Sequence, residues 1–188
     1  LPVISRLEDL TLSTWDGWKT TMAELASHSS IALASIRFDR LWRSVDIDTG
    51  NISAHLLAKI TKLYLSLDSG HTDLRPLFSQ LVSLKFLHLV VYFDFPFSLN
   101  QLASHLSPLH QLVHLHLEVI RAWHRLEPQE EQIPEDDNSI KWITLPSLKE
   151  FRVYARIVSH VIFEQAFPLH RVFPALESVA ITNQFSSK

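Results

Sequence analysis

The sequence predicts an α/β fold of the solenoid type: about seven strand–helix units whose strands form one parallel sheet on a concave face, with the return segments behind it. Three observations lead there. An apolar triplet recurs along the whole chain at a nearly constant interval. Segments with helical patterning separate the triplets. The only glycines are Gly17, Gly50 and Gly70, so the glycine-rich loops that follow strands in doubly wound sheets are missing.

The triplet places apolar residues at i, i+3 and i+5. It reads Leu7, Leu10, Leu12; Leu33, Ile36, Phe38; Ile60, Leu63, Leu65; and Leu84, Leu87, Leu89. It continues as Leu112, Leu115, Leu117; Leu148, Phe151, Val153; and Leu176, Val179, Ile181. Measured at the middle residue, the steps are 26, 27, 24, 28, 36 and 28 residues. Side chains alternate along a strand with a period of two, so the residues at i+3 and i+5 face inward together and the first residue is an anchor ahead of the strand. One unit alone leaves its apolar face in water, and neighbouring units must stack to bury it. Leu1-Pro2, Leu145-Pro146 and Phe173-Pro174 precede triplets. Proline there is expected to end the preceding segment and set an extended entry to the strand.

The one long step contains an acidic stretch, 127–138, with Glu127, Glu130, Glu131, Glu135, Asp136, Asp137, Pro128 and Pro134. Such a composition cannot bury itself and is expected to be a solvent-exposed insertion in an otherwise single repeat domain spanning 1–188. Among the return segments, Trp15, Trp18, Met22 and Leu25 fall on one helical face. Ser98 and Gln101 form a capping-box pattern before Leu99, Leu102 and Leu106. Further helical segments are expected from Ile52 to Ala58 and from Val161 to Ala166, with a weaker one from His71 to Gln80 because Pro76 interrupts it.

Composition narrows the function. The chain of 188 residues is 46% hydrophobic with a net charge of −3, which provides no global field for nucleic acid or an acidic membrane. No cysteine is present, so thiolate metal sites, disulfides and thiol redox chemistry are excluded and an intracellular compartment is favoured. The single sequon, Asn51-Ile52-Ser53, carries little weight against this. No apolar run reaches the length of a membrane helix; the stretch from Leu87 to Phe97 is broken by His88, Asp94 and Pro96. The start at Leu1-Pro2, without an initiator Met or targeting segment, reads as a piece or processed form of a longer protein.

With the triplets aligned, the chain resembles the leucine-rich-repeat superfamily over nearly its full length. The stretches LVSLKFLHL at 81–89, LHQLVHLHL at 109–117 and LPSLKEFRV at 145–153 carry the resemblance, and five of the six steps lie in the family's window. The family often has Asn or Cys three residues past the last apolar position, to satisfy backbone groups in the turn. Here Trp15, Leu41, Asp68, Tyr92, Ile120, Arg156 and Gln184 stand there, so irregular turns are expected. Irregular, cysteine-free repeats with such starts are similar to those of F-box/leucine-rich-repeat proteins, especially divergent fungal ones. That resemblance implies presentation of a substrate to a ubiquitin ligase, although no F-box is recognisable in the chain.

The outward residues flank the i+3 and i+5 positions and line the concave face. The middle rungs place Tyr64, Phe86, His88, His114, His116, Arg152 and Tyr154 there. Aromatic residues, arginine and histidine on one concavity are the composition of an interaction hot spot, and a protein partner is expected with no cofactor. The alternative is a metal-assisted enzyme or small-ligand binder. His114 and His116 share one strand face, Glu118 is next in line and His88 sits one rung away, a spacing across which imidazoles can converge on an ion. No nucleophile elbow is present, and Ser159-His160 is only an adjacency.

Overall fold

The computed structural model describes residues 7–12, 18–27, 32–41, 54–67, 74–93, 104–121, 144–156 and 172–183. Its strands are β1 (Asp9–Leu12), β2 (Ser35–Leu41), β3 (Lys62–Leu67), β4 (Phe86–Phe93), β5 (His114–Arg121), β6 (Glu150–Arg156) and β7 (Ser178–Asn183). The helices are α1 (Trp18–Ala26), α2 (Ala54–Leu57) and α3 (Arg75–Phe78), and residues 104–106 add one helical turn. None of the helices among the described residues is long and apolar enough to cross a membrane.

All seven strands join one parallel sheet in chain order, β1 to β7. The triplets are in register: Leu10, Ile36, Leu63, Leu87, Leu115, Phe151 and Val179 pair successively across the sheet as one row. Their burial alternates as a period of two demands, most clearly in β3, where Leu63, Leu65 and Leu67 are buried while Lys62 is exposed and Tyr64 and Ser66 are half-buried. The anchor row, Leu33, Ile60, Leu84, Leu112 and Leu148, is buried as well. At the far end the alternation survives in register but not in burial: Val179 and Ile181 are 42% and 53% exposed, because β7 has a paired strand on one side only.

Strands β4 and β5 continue past their triplets. Val91 and Val119 form a third buried row with Leu67, and the positions where the resemblance leads one to expect turns (Leu41, Tyr92, Ile120, Arg156) still lie in strand. The physical reason is local. Where a β-branched residue is available two positions further on, extending the strand buries another side chain and satisfies two more backbone groups, and no Asn or Gly is present to turn the chain earlier. In β2 the ladder shifts between Phe38 and Leu41, a bulge that consumes one extra residue.

From β2 onward, each strand begins in the same way. A carbonyl just ahead of one strand accepts from two consecutive N–H groups at the entrance of the next. Glu8 takes Ala34 and Ser35, Ala34 takes Thr61 and Lys62, and Thr61 takes Lys85 and Phe86. The series continues with Lys85 taking Val113 and His114, Val113 taking Lys149 and Glu150, and Lys149 taking Glu177 and Ser178. This backbone ladder satisfies the entrance groups without side chains.

Ahead of it, a four-residue turn closes by an N–H to carbonyl bond from Leu84 to Leu81, Leu112 to Leu109, Leu148 to Leu145 and Leu176 to Phe173. Pro146 and Pro174 occupy the second position of two of these turns. Proline therefore acts here through its fixed φ at a turn corner, not by imposing an extended entry.

Among the described residues, the layer behind the sheet includes the short helices α1, α2 and α3 and the turn at 104–106. In α1, Met22 is fully buried and Leu25 packs against the core, the expected face; Trp15 and the Trp18 side chain lie outside the described residues. Within the expected segment from Ile52 to Ala58, of which the first two residues lie outside the described ones, α2 buries Leu56 and Leu57 and ends ahead of Ala58, which is in a turn. Pro76 does not interrupt the next segment, because it sits in the first turn of α3, where its missing N–H costs nothing; Leu77 and Phe78 follow it into the core. Nine residues or fewer per helix give little intrinsic stability, so these turns persist through packing. His105 Nδ1 accepts the Leu74 N–H at 3.1 Å and ties neighbouring return segments together. The capping-box residues Ser98 and Gln101, the helix expected from Val161 to Ala166, and the acidic stretch 127–138 lie outside the described residues.

Candidate functional site

The outward face of β2 to β6 brings most of the expected site residues into one network. Lys62, Phe86, His114 and Glu150 form a row nearest the strand entrances. Arg37, Tyr64, His88, His116 and Arg152 form the next, and Ser66, Val90, Glu118 and Tyr154 the third.

Rings fill the centre. Phe86 lies 5.3 Å from Tyr64, 4.9 Å from His116 and 6.4 Å from His114, measured between centroids. His88 lies 5.8 Å from Tyr64 and 6.1 Å from His116, both edge-on. Such tilted and edge-on contacts align positive ring edges with negative ring faces. Parallel strands at about 4.8 Å spacing enforce these distances once the residues share a row or adjacent rows. The Arg37 guanidinium caps the cluster, with Cζ 4.4 Å above the Tyr64 ring.

Glu150 organises the other end. Its carboxylate accepts a hydrogen bond from His114 Nδ1 at 2.8 Å and another from Arg152 Nε. A carboxylate only accepts, so the His114 proton sits on Nδ1. The bond from His114 is the main reason the Glu150 carboxyl titrates below its ordinary value; Arg152 adds to this and burial opposes it. His116 Nε2 is 3.8 Å from Glu150, too far for a hydrogen bond, and is buried with no hydrogen-bond partner among the described residues. Burial pushes the His116 imidazole below its ordinary pKa, and Arg152 lowers it further against the pull of Glu150. His88 is lowered chiefly by burial too; Glu118, 3.9 Å from its Nε2, raises it and Arg37 lowers it.

The imidazoles are thus divided between two acids. His88 faces Glu118, while His114 is held by Glu150 on the neighbouring strand. His88, His114, His116 and Glu118 do not converge, and no group of three or more His, Cys, Asp or Glu among the described residues is arranged to hold a metal ion. Tyr154 occupies the same face in register with Glu118 but is 42% exposed, toward the margin of the ring cluster. Two residues of the network, Glu150 and Arg37, are not among the expected site residues. Both occupy outward triplet positions, and aligning the rungs pairs them with His114 and Tyr64. No protein-family model matches the chain, and comparison with curated proteins and with solved structures finds no match.

Proposed function

We propose that the chain is a leucine-rich-repeat-type solenoid that binds a protein partner on its outward strand face, without a required metal. A parallel sheet in strict chain order supports the solenoid, since each unit is adjacent only to its sequence neighbours. The single observation that supports the binding surface is the contiguous cluster of Tyr64, Phe86, His88, His114 and His116, bounded by Arg37 and Arg152. Large rings and guanidiniums on an accessible face are the residue types that dominate binding energy at protein interfaces. Presentation of a substrate to a ubiquitin ligase, implied by the resemblance to F-box/leucine-rich-repeat proteins, is the first role to examine within this class.

The experiment is a peptide-display selection against the protein with chelator present throughout, followed by binding of the recovered peptides to a Tyr64→Ala/Arg152→Ala variant. Recovered peptides should lose at least about tenfold in affinity to the variant, as expected when an aromatic anchor and an arginine are removed together. Undiminished binding to the variant places the surface elsewhere. Selection that succeeds only when chelator is omitted replaces this function with the metal-dependent alternative.

A further inference from the structure

The central row of the face has a charge pattern of its own. In register order it reads Thr11, Arg37, Tyr64, His88, His116, Arg152 and Ala180, with a guanidinium on either side of two imidazoles and no acid in the row. The acids of the face lie in the rows beside it. Both oxygens of Glu150 are engaged, one by His114 and one by Arg152, and Glu118 faces His88.

We propose that this row is a pH-sensitive docking track for an acidic peptide segment, one with closely spaced Glu or Asp side chains, held more tightly as His88 and His116 take up protons. It rests on the protein-binding function proposed above and adds the chemistry and regulation of that surface. The geometry supplies the switch. His116 Nε2 has no hydrogen-bond partner among the described residues, and the two rings stand 6.1 Å apart, so one carboxylate placed above the row is near both. An opposite charge within about 4–6 Å favours the protonated imidazole without direct contact at the buried nitrogen.

The groups facing His116 are His88 on β4, Glu150 and Arg152 on β6, and His114 and Glu118 on its own strand. Those facing His88 are Arg37 on β2, Tyr64 on β3, and His116 and Glu118 on β5. In the unbound face, burial first and then repulsion from Arg37 and Arg152 lower the pKa of both imidazoles, against the pull of Glu118 on His88 and of Glu150 on His116, so the cations of the waiting row are Arg37 and the Glu150-paired Arg152. An arriving carboxylate offsets that repulsion, and by linkage its binding draws protons onto the rings.

Discrete carboxylates fit better than a polyphosphate chain. Glu118 and Glu150 border the row on both sides, and nucleic-acid binding calls for a longer run of cations than two guanidiniums.

The test uses the whole chain and three fluorescein-labelled probes: a short peptide alternating Glu and Tyr, its Lys–Tyr counterpart, and an oligothymidine. Anisotropy titrations at about pH 7.5 and about pH 5.5, in about 0.15 M salt, should show the Glu–Tyr peptide binding roughly tenfold tighter at the lower pH. His116→Gln and His88→Gln, each checked for an unchanged far-ultraviolet circular dichroism spectrum, should cut that ratio to about threefold or less. Arg37→Gln should weaken binding at both pH values. A pH-independent affinity, equal binding of the Lys–Tyr peptide, or tighter binding of oligothymidine overturns the proposal. If the Glu–Tyr peptide fails at both pH values while display-selected peptides still require Tyr64 and Arg152, this inference falls alone; if those peptides also fail, the interaction surface falls with it.

Discussion

Replacing Leu115 by Ala removes three carbons from the centre of the packed layer. Leu115 is 1% exposed and is flanked in its row by Leu87 and Phe151, both buried. At about 0.8 kcal/mol per buried methylene the transfer loss alone is roughly 2.4 kcal/mol. The neighbours sit on hydrogen-bonded strands and close the gap only in part, so the cavity raises the total to about 3–5 kcal/mol.

Two companions make the measurement a test of register. His116→Ala, one residue further and on the opposite face, loses an edge-on contact with Phe86 but also removes an unpaired buried nitrogen, for a net change within about 1 kcal/mol. Val179→Ala lies in the same inward row as Leu115 but is 42% exposed, and should cost about 1 kcal/mol or less. Urea denaturation followed by far-ultraviolet circular dichroism, with a common m-value, reads all three as shifts in midpoint. If His116→Ala costs as much as Leu115→Ala, the assignment of inward and outward residues is reversed, because a slip of one residue exchanges the two faces. If Val179→Ala costs as much as Leu115→Ala, the burial gradient toward β7 is wrong.

Stability should fall on acidification below about pH 6.5, the ordinary imidazole value. His88 and His116 titrate lower in the fold than in the unfolded chain, so the unfolded state binds protons first and is favoured as the pH drops toward the folded values. Glu150, also lowered, extends the loss in the same direction below the ordinary carboxylate range. Urea midpoints across this window should slope for the wild type and flatten above pH 5.5 or so for the His88→Gln/His116→Gln double variant; an unchanged slope refutes burial of the two rings as its source. Pro146→Ala should cost about 0.4–1 kcal/mol through a freer unfolded chain, since Pro146 occupies the corner of a hydrogen-bonded turn. A stabilised Pro146→Ala variant, on the same urea assay, would show that proline strains that turn.

What could be read from the chain follows from how local the relevant physics is. Period-two alternation is a property of a single strand, so the triplets alone separate Leu87, Leu115 and Val153, which are buried, from His88 and His116, which are half-buried, and Arg152, which is exposed. Constant spacing then aligns the rungs, and the pairing of Leu63 with Leu87 and Leu115 follows. Helix ends were less legible, because short helices depend on the layer they pack against: the helical patterning runs on to Ala58, yet α2 ends at Leu57 and Ala58 is in a turn. Strand length depended in the same way on whether Val91 and Val119 found a neighbour to pack beside.

The functional face divides along the same line. That Tyr64, Phe86, His88, His114 and His116 share one surface was already implied by their positions relative to the triplets. Which of them touch was decided only by the fold. Whether His114 turns toward His88 or toward Glu150 depends on side-chain rotamers and on the charge across the next strand, and Glu150 lies 36 residues away in sequence. Tertiary structure therefore turned histidines that sequence spacing would allow to gather round an ion into two groups facing different acids, His88 with Glu118 and His114 with Glu150. The physical reason is that alternation sets the face on which a side chain emerges, whereas the partner it meets there is set by residues of other strands.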